Sequence, residues 1–467
     1  MQQVNLFHTV PTSTFKSLNP ATGVQIAEYP THSAEQVAQF LEQAHYTFSE
    51  WSLSSLERRS ALLLSIASAI RNVLPQAALM ATQEMGKPIA QSRAELEKCA
   101  KTMEYYAAFG PGFLNNELIP TASRKSFVSY QGLGVVLAIM PWNFPYWQVF
   151  RAMAAIIMSG NTMLLKHAAN VSGCALMIQE ILTAAGAPKA LFHTLLLPSS
   201  EVPSLIAHPY IAAVTFTGST EVGRKVASLA AYHLKKQVLE LGGSDAYIVF
   251  EDADIDHAVQ TCFDARFVNT GQSCVAAKRF IVVASVRQAF ETKMLALIQN
   301  VKMGNPIDES VHIGPMARVD LRDELHHQVQ QSIAQGAQLC CGGYIPEIEG
   351  AFYPATLLTA VQKGMPAYDD EMFGPVAVII EAKDEQDAIR IANDSAFGLG
   401  TALFSQDIEH AEYLAQNIMQ SGACFVNAAV HSDPRLPFGG IKNSGYGREL
   451  SSFALREFVN IKTIVIH

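Results

Sequence analysis

Hydrophobic positions divide the chain into three regimes. From about residue 33 to 110, apolar residues recur every three or four positions, most clearly through SALLLSIASAI. That spacing predicts helices, with Thr31 and Ser33 as candidate N-caps. Residues 113–132 break the rhythm: Gly, Pro and Asn surround short stretches such as KSFVSY, which alternates as a strand does. From residue 133, short apolar runs (GVVLAIM, TMLLKHA, LFHTLLL, AAVTFTG, KKQVLELGG) are interspersed with helical stretches through RAMAAIIMSG, SGCALMIQEILTAAG and TEVGRKVASLAAYH. Apolar strands separated by helices predict a parallel sheet covered on both faces. The pattern restarts after about residue 244 with DAYIVF, RFIVVA, VAVIIEA, TALFS and CFVN, which predicts a second α/β domain. The tail FVNIKTIVIH alternates to the last residue, as a strand does that pairs with another element or another subunit.

Composition narrows the classes. A chain of 467 residues exceeds one hydrophobic core, so two or more domains are expected. Lys and Arg number 33 against 42 Asp and Glu, for a net charge of −9 with no basic block, which argues against a nucleic-acid partner. The seven cysteines form no CxxC pair, and an odd count disfavours a disulfide framework or a zinc ribbon. Reduced core thiols in a cytosolic enzyme fit better, with one or two of them reactive. MQQVNLFHTV has no basic stretch leading an apolar core, so it is not a secretory signal. No apolar run reaches membrane-spanning length. The expectation is a cytoplasmic protein without membrane association and without a metal.

Candidate chemistry sits in turns at strand ends, where α/β sheets bind ligands. No P-loop and no HExxH occurs, and Gly132-Leu133-Gly134 precedes a strand instead of following one, so the common dinucleotide fingerprint is absent. Pro141-Trp142-Asn143-Phe144-Pro145 offers an amide for a developing oxyanion. Lys166 ends TMLLK, where a cation can hold a ribose hydroxyl or a phosphate. Gly218-Ser219-Thr220 opens a helix after AAVTF, the arrangement that presents free N–H groups to a pyrophosphate. Glu240, before Gly242-Gly243, is a candidate general base. Cys274 follows Gly271 and would begin the next element; a thiol at a helix N-terminus is activated by the dipole. Glu371 and Phe373 precede VAVII. Each turn alone has an ordinary explanation: a rigid turn, a solvated lysine, a capping glutamate, a buried thiol. Together they supply the parts needed for covalent acyl chemistry.

The motifs NPATG (19–23), PWNFP (141–145), FTGSTEVG (216–223), ELGG (240–243), GQSC (271–274), EMFGP (371–375) and PFGGIKNSGYGRE (437–449) resemble the aldehyde dehydrogenase superfamily in order and spacing. The resemblance implies an NAD(P)-binding domain from residues 1–112 and 133–242, and a catalytic domain from 243–444. Both would be Rossmann-like parallel-sheet domains. An oligomerisation β-arm from 113–132 and 449–467 would make a homodimer or homotetramer. Cys274 would be the nucleophile, Asn143 with the Cys274 backbone N–H the oxyanion hole, and Glu240 the base that activates water. Trp142, Lys166, Gly218, Ser219, Gly223, Glu371 and Phe373 would hold NAD or NADP. Many NAD-preferring members carry a Glu where this chain has Ala169; without that carboxylate a 2′-phosphate is not repelled, so both cofactors are expected.

Arg151 and Ser432 match positions that bind the substrate carboxylate in succinate-semialdehyde dehydrogenases. That subfamily's second carboxylate-binding Arg is replaced here by Val268, and the stretches GQSCVAAKRF and LKHAAN resemble the shorter bacterial branch. The expected reaction is oxidation of succinate semialdehyde to succinate. The alternatives are another small aliphatic or aromatic aldehyde, or a CoA-acylating reaction.

Overall fold

The computed structural model describes residues 13–467; the segment MQQVNLFHTV lies outside that range. The helical region resolves into helices Ala34–Trp51, Leu56–Asn72, Leu74–Met85 and Ile89–Phe113. Ser33 caps the first with a reciprocal box: its hydroxyl accepts from the Gln36 N–H, and the Gln36 side chain accepts from the Ser33 N–H at 2.8 Å. Thr31 is not a cap. It is buried and donates to the Ser13 carbonyl at 2.8 Å, within a hairpin of strands Thr14–Leu18 and Gln25–Pro30 that the periodicity did not indicate.

Two buried carboxylates from these helices anchor the start of two others. Glu84 accepts from the N–H groups of Gly173 and Cys174, both at 2.9 Å, at the start of helix Ser172–Ala184. Glu95 accepts from those of Tyr146 and Trp147, both at 2.8 Å, at the start of helix Trp147–Met158, and is also paired with Lys87. A carboxylate on free helix N–H groups complements the dipole and fixes the helix end. Helix Trp147–Met158 is buried along its whole length and forms the centre of the largest core cluster.

The first sheet has five parallel strands and one short antiparallel edge. Its spatial order is Gly445–Tyr446, Lys236–Glu240, Ile211–Thr217, Val135–Met140, Thr162–His167, Phe192–Thr194. The sequence order reverses between Val135–Met140 and Ile211–Thr217, which makes that junction the topological switch point. The second sheet orders Gln338–Cys341, Thr356–Thr359, Val376–Ala382, Ala277–Val283, Asp245–Val249, Gly400–Phe404 and Ala423–Val426. It is parallel except at its first pair, which was too short and too irregular to read from the sequence. A third sheet pairs Val459–Ile466 with Lys125–Gly132 over eight residues, and Glu117–Leu118 with the other edge. The chain is therefore α/β with two parallel sheets, and the alternating tail forms an exposed edge strand. Within the expected arm, residues Ser451–Glu457 are helical and dock on the helices beside them. Among the described residues, no single helix is long and apolar enough to cross a membrane.

Candidate active site

A cleft of about 560 Å³ opens at the switch point. Trp142 and Asn143 enter it directly after Val135–Met140, Gly218 and Ser219 after Ile211–Thr217, and Gly242 just after Lys236–Glu240. From the second sheet come Cys274, Glu371 and Phe373. The cleft is thus lined by seven of the site residues expected from sequence. Ser219 caps helix Thr220–Tyr232, whose first residues line the cleft. A Cβ at Gly218 would lie 2.6 Å from the Phe216 ring, and one at Gly242 would lie 2.5 Å from Glu371 Oε2. Trp142 and Phe373 meet edge to face at 5.8 Å. A glycine-lined cleft at a helix start, closed by aromatic faces, fits a dinucleotide.

Three of the expected cofactor residues are not part of this lining. Lys166 is nearly buried at the end of strand Thr162–His167 and donates to Ser199 Oγ at 3.3 Å; burial lowers its pKa. Ala169 starts the following turn and is half-buried. Gly223 is a packing position, since a Cβ there would run into the Leu241 side chain.

The thiol is carried on a left-handed loop. Asn269, Thr270 and Gly271 have φ of 52°, 55° and 74°. Two consecutive non-glycine residues in that region store roughly 1–2 kcal/mol each. Buried hydrogen bonds over-determine the loop. The Asn269 side-chain amide donates to the Asn143 carbonyl at 2.7 Å and the Gln272 carbonyl at 3.1 Å. The Arg266 guanidinium donates to the Gly271 carbonyl at 2.8 Å and the Met372 carbonyl at 3.2 Å, tying the loop to the EMFGP turn. Asn143 Nδ2 donates to the Gln272 carbonyl at 3.1 Å, so the amide and the thiol loop are linked.

Cys274 lies in the turn that leads into strand Ala277–Val283, not at a helix N-terminus, so no helix dipole activates it as the sequence suggested. In the dipole's place stands Lys278, whose ammonium donates to the Ser273 carbonyl at 2.8 Å and the Cys274 carbonyl at 2.6 Å. It also pairs with Glu371 at 3.2 Å. Protein crowds the sulfur although part of the residue reaches the cleft. Burial pushes the thiol up to about 12, against the pull of Lys278 and Arg151.

Cys274 also lines a second cavity, of about 270 Å³, on which Arg151, Ser432 and Val268 open. The Arg151 guanidinium is buried and paired with Glu449, with the Phe438 ring 4.8 Å away. Its Nη2 is buried without a hydrogen-bond partner. Sequence reasoning missed two residues here. Gln148 lines both cavities, and its Oε1 is buried and unpartnered. Lys98, from helix Ile89–Phe113, donates to Ser432 Oγ at 2.7 Å. A place on the helix that follows PWNFP, one turn before Arg151, is a signal for Gln148; nothing local marks Lys98.

Glu240 lines neither cavity. Its carboxyl is buried with both oxygens unpartnered, and a Cβ on Gly439 would lie 2.8 Å from Oε1. Burial, and then the charge of Glu449, raise its pKa well above the usual carboxylate range, while Arg151 and Arg448 oppose them.

The sequence model of the aldehyde dehydrogenase family matches residues 8–464. The chain is 45% identical to the Escherichia coli succinate semialdehyde dehydrogenase [NAD(P)+] Sad, over 96% of this chain and 97% of that protein. It is 44% identical to a probable succinate-semialdehyde dehydrogenase [NADP(+)] of Synechocystis, over 96% and 99%. Among solved structures, succinic semialdehyde dehydrogenase from Streptococcus pyogenes, in complex with NADP+, superposes with a TM-score of 0.94 at 35% identity, covering 97% of this chain and 99% of that one. The motifs, the paired parallel sheets and these likenesses agree: the chain belongs to the aldehyde dehydrogenase family.

Proposed function

We propose that the chain oxidises succinate semialdehyde to succinate with NAD or NADP. The observation that carries this reading is that Cys274, with Gln148, forms the wall shared by a dinucleotide-sized cleft and a smaller pocket bearing cations. The Cys274 thiolate adds to the aldehyde carbon to give a thiohemiacetal, whose oxygen takes hydrogen bonds from Asn143 Nδ2 and the Cys274 N–H. A nicotinamide held in the cleft would supply the hydride acceptor, and loss of that hydride leaves the enzyme as a Cys274 thioester. Glu240 turns about its own torsions toward that thioester and takes a proton from the attacking water.

Trp142, Gly218, Ser219, Glu371 and Phe373 hold the cofactor in the cleft. Lys166, with Ser199 beside it, holds the adenosine end, and Ala169 leaves that end without a carboxylate to repel a 2′-phosphate. Arg151 and Ser432 receive the substrate's distal carboxylate. Residues 1–112 with 133–242 form the cofactor domain, 243–444 the catalytic domain, and 113–132 with 449–467 the arm through which homodimers or homotetramers form. The bridge between Gly445–Tyr446 and Lys236–Glu240 ties the segment after the catalytic domain to the cofactor sheet. A cytoplasmic location accords with seven free cysteines, all unpaired.

The test is kcat/KM for succinate semialdehyde and for butanal, each with NADP and NAD. At least a tenfold preference for the acidic aldehyde, with turnover on both cofactors, is expected. Equal values for the two aldehydes would refute the substrate, and complete rejection of NADP would refute the cofactor reading.

A further inference from the structure

The resemblance to succinate-semialdehyde dehydrogenases implies a second arginine where this chain has Val268, which lines the wall of the pocket beside Cys274. The charges around the pocket show what takes its place. Glu95 is paired with Lys87, Arg151 with Glu449, and Asp433 with Arg435. Lys98 has no carboxylate within ion-pair distance among the described residues. Its ammonium rests on the Trp147 ring at 4.2 Å and on the Ser432 hydroxyl at 2.7 Å. A neutral hydroxyl and an aromatic face compensate a desolvated cation only partly. An anion entering the pocket would complete the compensation.

We propose that Lys98 is the second cation for the substrate's distal carboxylate, acting with Ser432 and Arg151 as a three-point site. This rests on the acidic-aldehyde reading above and assigns its missing contact. The Ser432 hydroxyl, which accepts from Lys98, is left free to donate its own proton to one carboxylate oxygen. Lys98 donates to the same carboxylate, and Arg151 contributes through its unpartnered Nη2. A cation reached from helix Ile89–Phe113 thus replaces one that would come from the thiol loop itself, and the thiol loop stays apolar at Val268.

The groups that bear on the Lys98 ammonium are Glu95 and Cys99 from its own helix, Arg151 from helix Trp147–Met158, and Asp433 from the loop before PFGG. Burial, helped by Arg151, pushes its pKa down to about 8. The cation is therefore lost as pH rises through about 8, and with it the preference for an acidic aldehyde.

The experiment compares wild type, Lys98→Met and Lys98→Arg with succinate semialdehyde and butanal between about pH 6 and pH 9.5. The readout is the ratio of the two kcat/KM values, which cancels titration of the thiol and the base. In Lys98→Met the ratio falls about ten- to a hundredfold, through KM for the acidic aldehyde, the size of a lost charge-assisted contact. In wild type the ratio declines above about pH 8. In Lys98→Arg, where the charge persists, it stays flat. A Lys98→Met ratio equal to wild type, or an alkaline decline that survives in Lys98→Arg, overturns the proposal while leaving the acidic-aldehyde reading intact. A wild-type enzyme with no preference between the aldehydes overturns both. Should Lys98→Met fail to fold, the pH profile of Lys98→Arg decides alone.

Discussion

Arg151 sits between two obligations, one to the pocket and one to the protein. Glu449 is buried, and burial raises its pKa while the Arg151 charge lowers it; Glu240 lies near enough to feel both. Arg151→Met would leave the buried Glu449 without its partner, and Glu240 with only Arg448 to oppose its burial. We expect a stability loss of about 3 kcal/mol, the usual cost of breaking a buried pair. A buried carboxyl with a raised pKa is tolerated when protonated, so the deficit is smallest at acid pH and grows as pH rises through the raised values. Thermal denaturation of the variant and wild type at pH 5 and at pH 8 checks the sign. The reacting groups have a pH dependence of their own. Burial raises the pKa of both the Cys274 thiol and the Glu240 carboxyl. Rising pH increases the thiolate fraction, so kcat/KM for butanal, which has no carboxylate and reports the steps up to the thioester, climbs from about pH 6 to pH 9. A flat profile would mean that bound cofactor or substrate resets these pKa values. At this scale the short motifs were informative in part: Asn143, Cys274, Glu371 and Phe373 line the cleft, whereas Glu240 and Gly223, from ELGG and FTGSTEVG, do not. The sequence was silent on Lys98, because a lysine on a long helix with several charges carries no local mark, and the pocket joins four segments far apart in the chain.

The element that matters most is the loop from Asn269 to Cys274. Gly271 could be read as a turn, but two features could not. The left-handed path begins earlier, at Asn269 and Thr270, and Cys274 stands in a turn before the strand that RFIVVA indicated, with no helix between them. Both depend on tertiary bonds, from Arg266 and from the Asn269 side chain, that no local pattern announces. Gly271→Ala tests this element. At φ of 74°, an added Cβ would lie 2.5 Å from Arg266 Nη2 and collide with the Gly374 carbonyl. Displacing the loop should lower kcat/KM at least tenfold, equivalent to about 1.4 kcal/mol. It should also lower Tm by several degrees, with far-ultraviolet circular dichroism unchanged. Wild-type activity would show that the left-handed path is not required to place the sulfur.

At the scale of the whole molecule, strand–helix alternation made the two parallel sheets legible, and the break at 113–132 marked the third. The short edge pair at Gln338–Cys341 and Thr356–Thr359 escaped, since each is only four residues and one is interrupted by a bulge. The terminal strand Val459–Ile466 leaves Ile461 56% and Val465 48% exposed on an open sheet edge. Apolar edge strands are normally covered. If the arm is the assembly surface, Ile461→Glu with Val465→Glu shifts the protein toward a smaller species in multi-angle light scattering, with little change in far-ultraviolet circular dichroism. An unchanged assembly would place the interface elsewhere.

Catalysis as proposed depends on a thioester at Cys274 that Glu240 helps water to release. Mixing Glu240→Gln with succinate semialdehyde and NADP, then quenching in acid for intact-protein and peptide mass spectrometry, probes that intermediate itself. We expect close to one equivalent of reduced cofactor in a burst, and a succinyl adduct on the peptide containing Cys274. A burst without an adduct, or an adduct on any other of the seven cysteines, would refute the assignment.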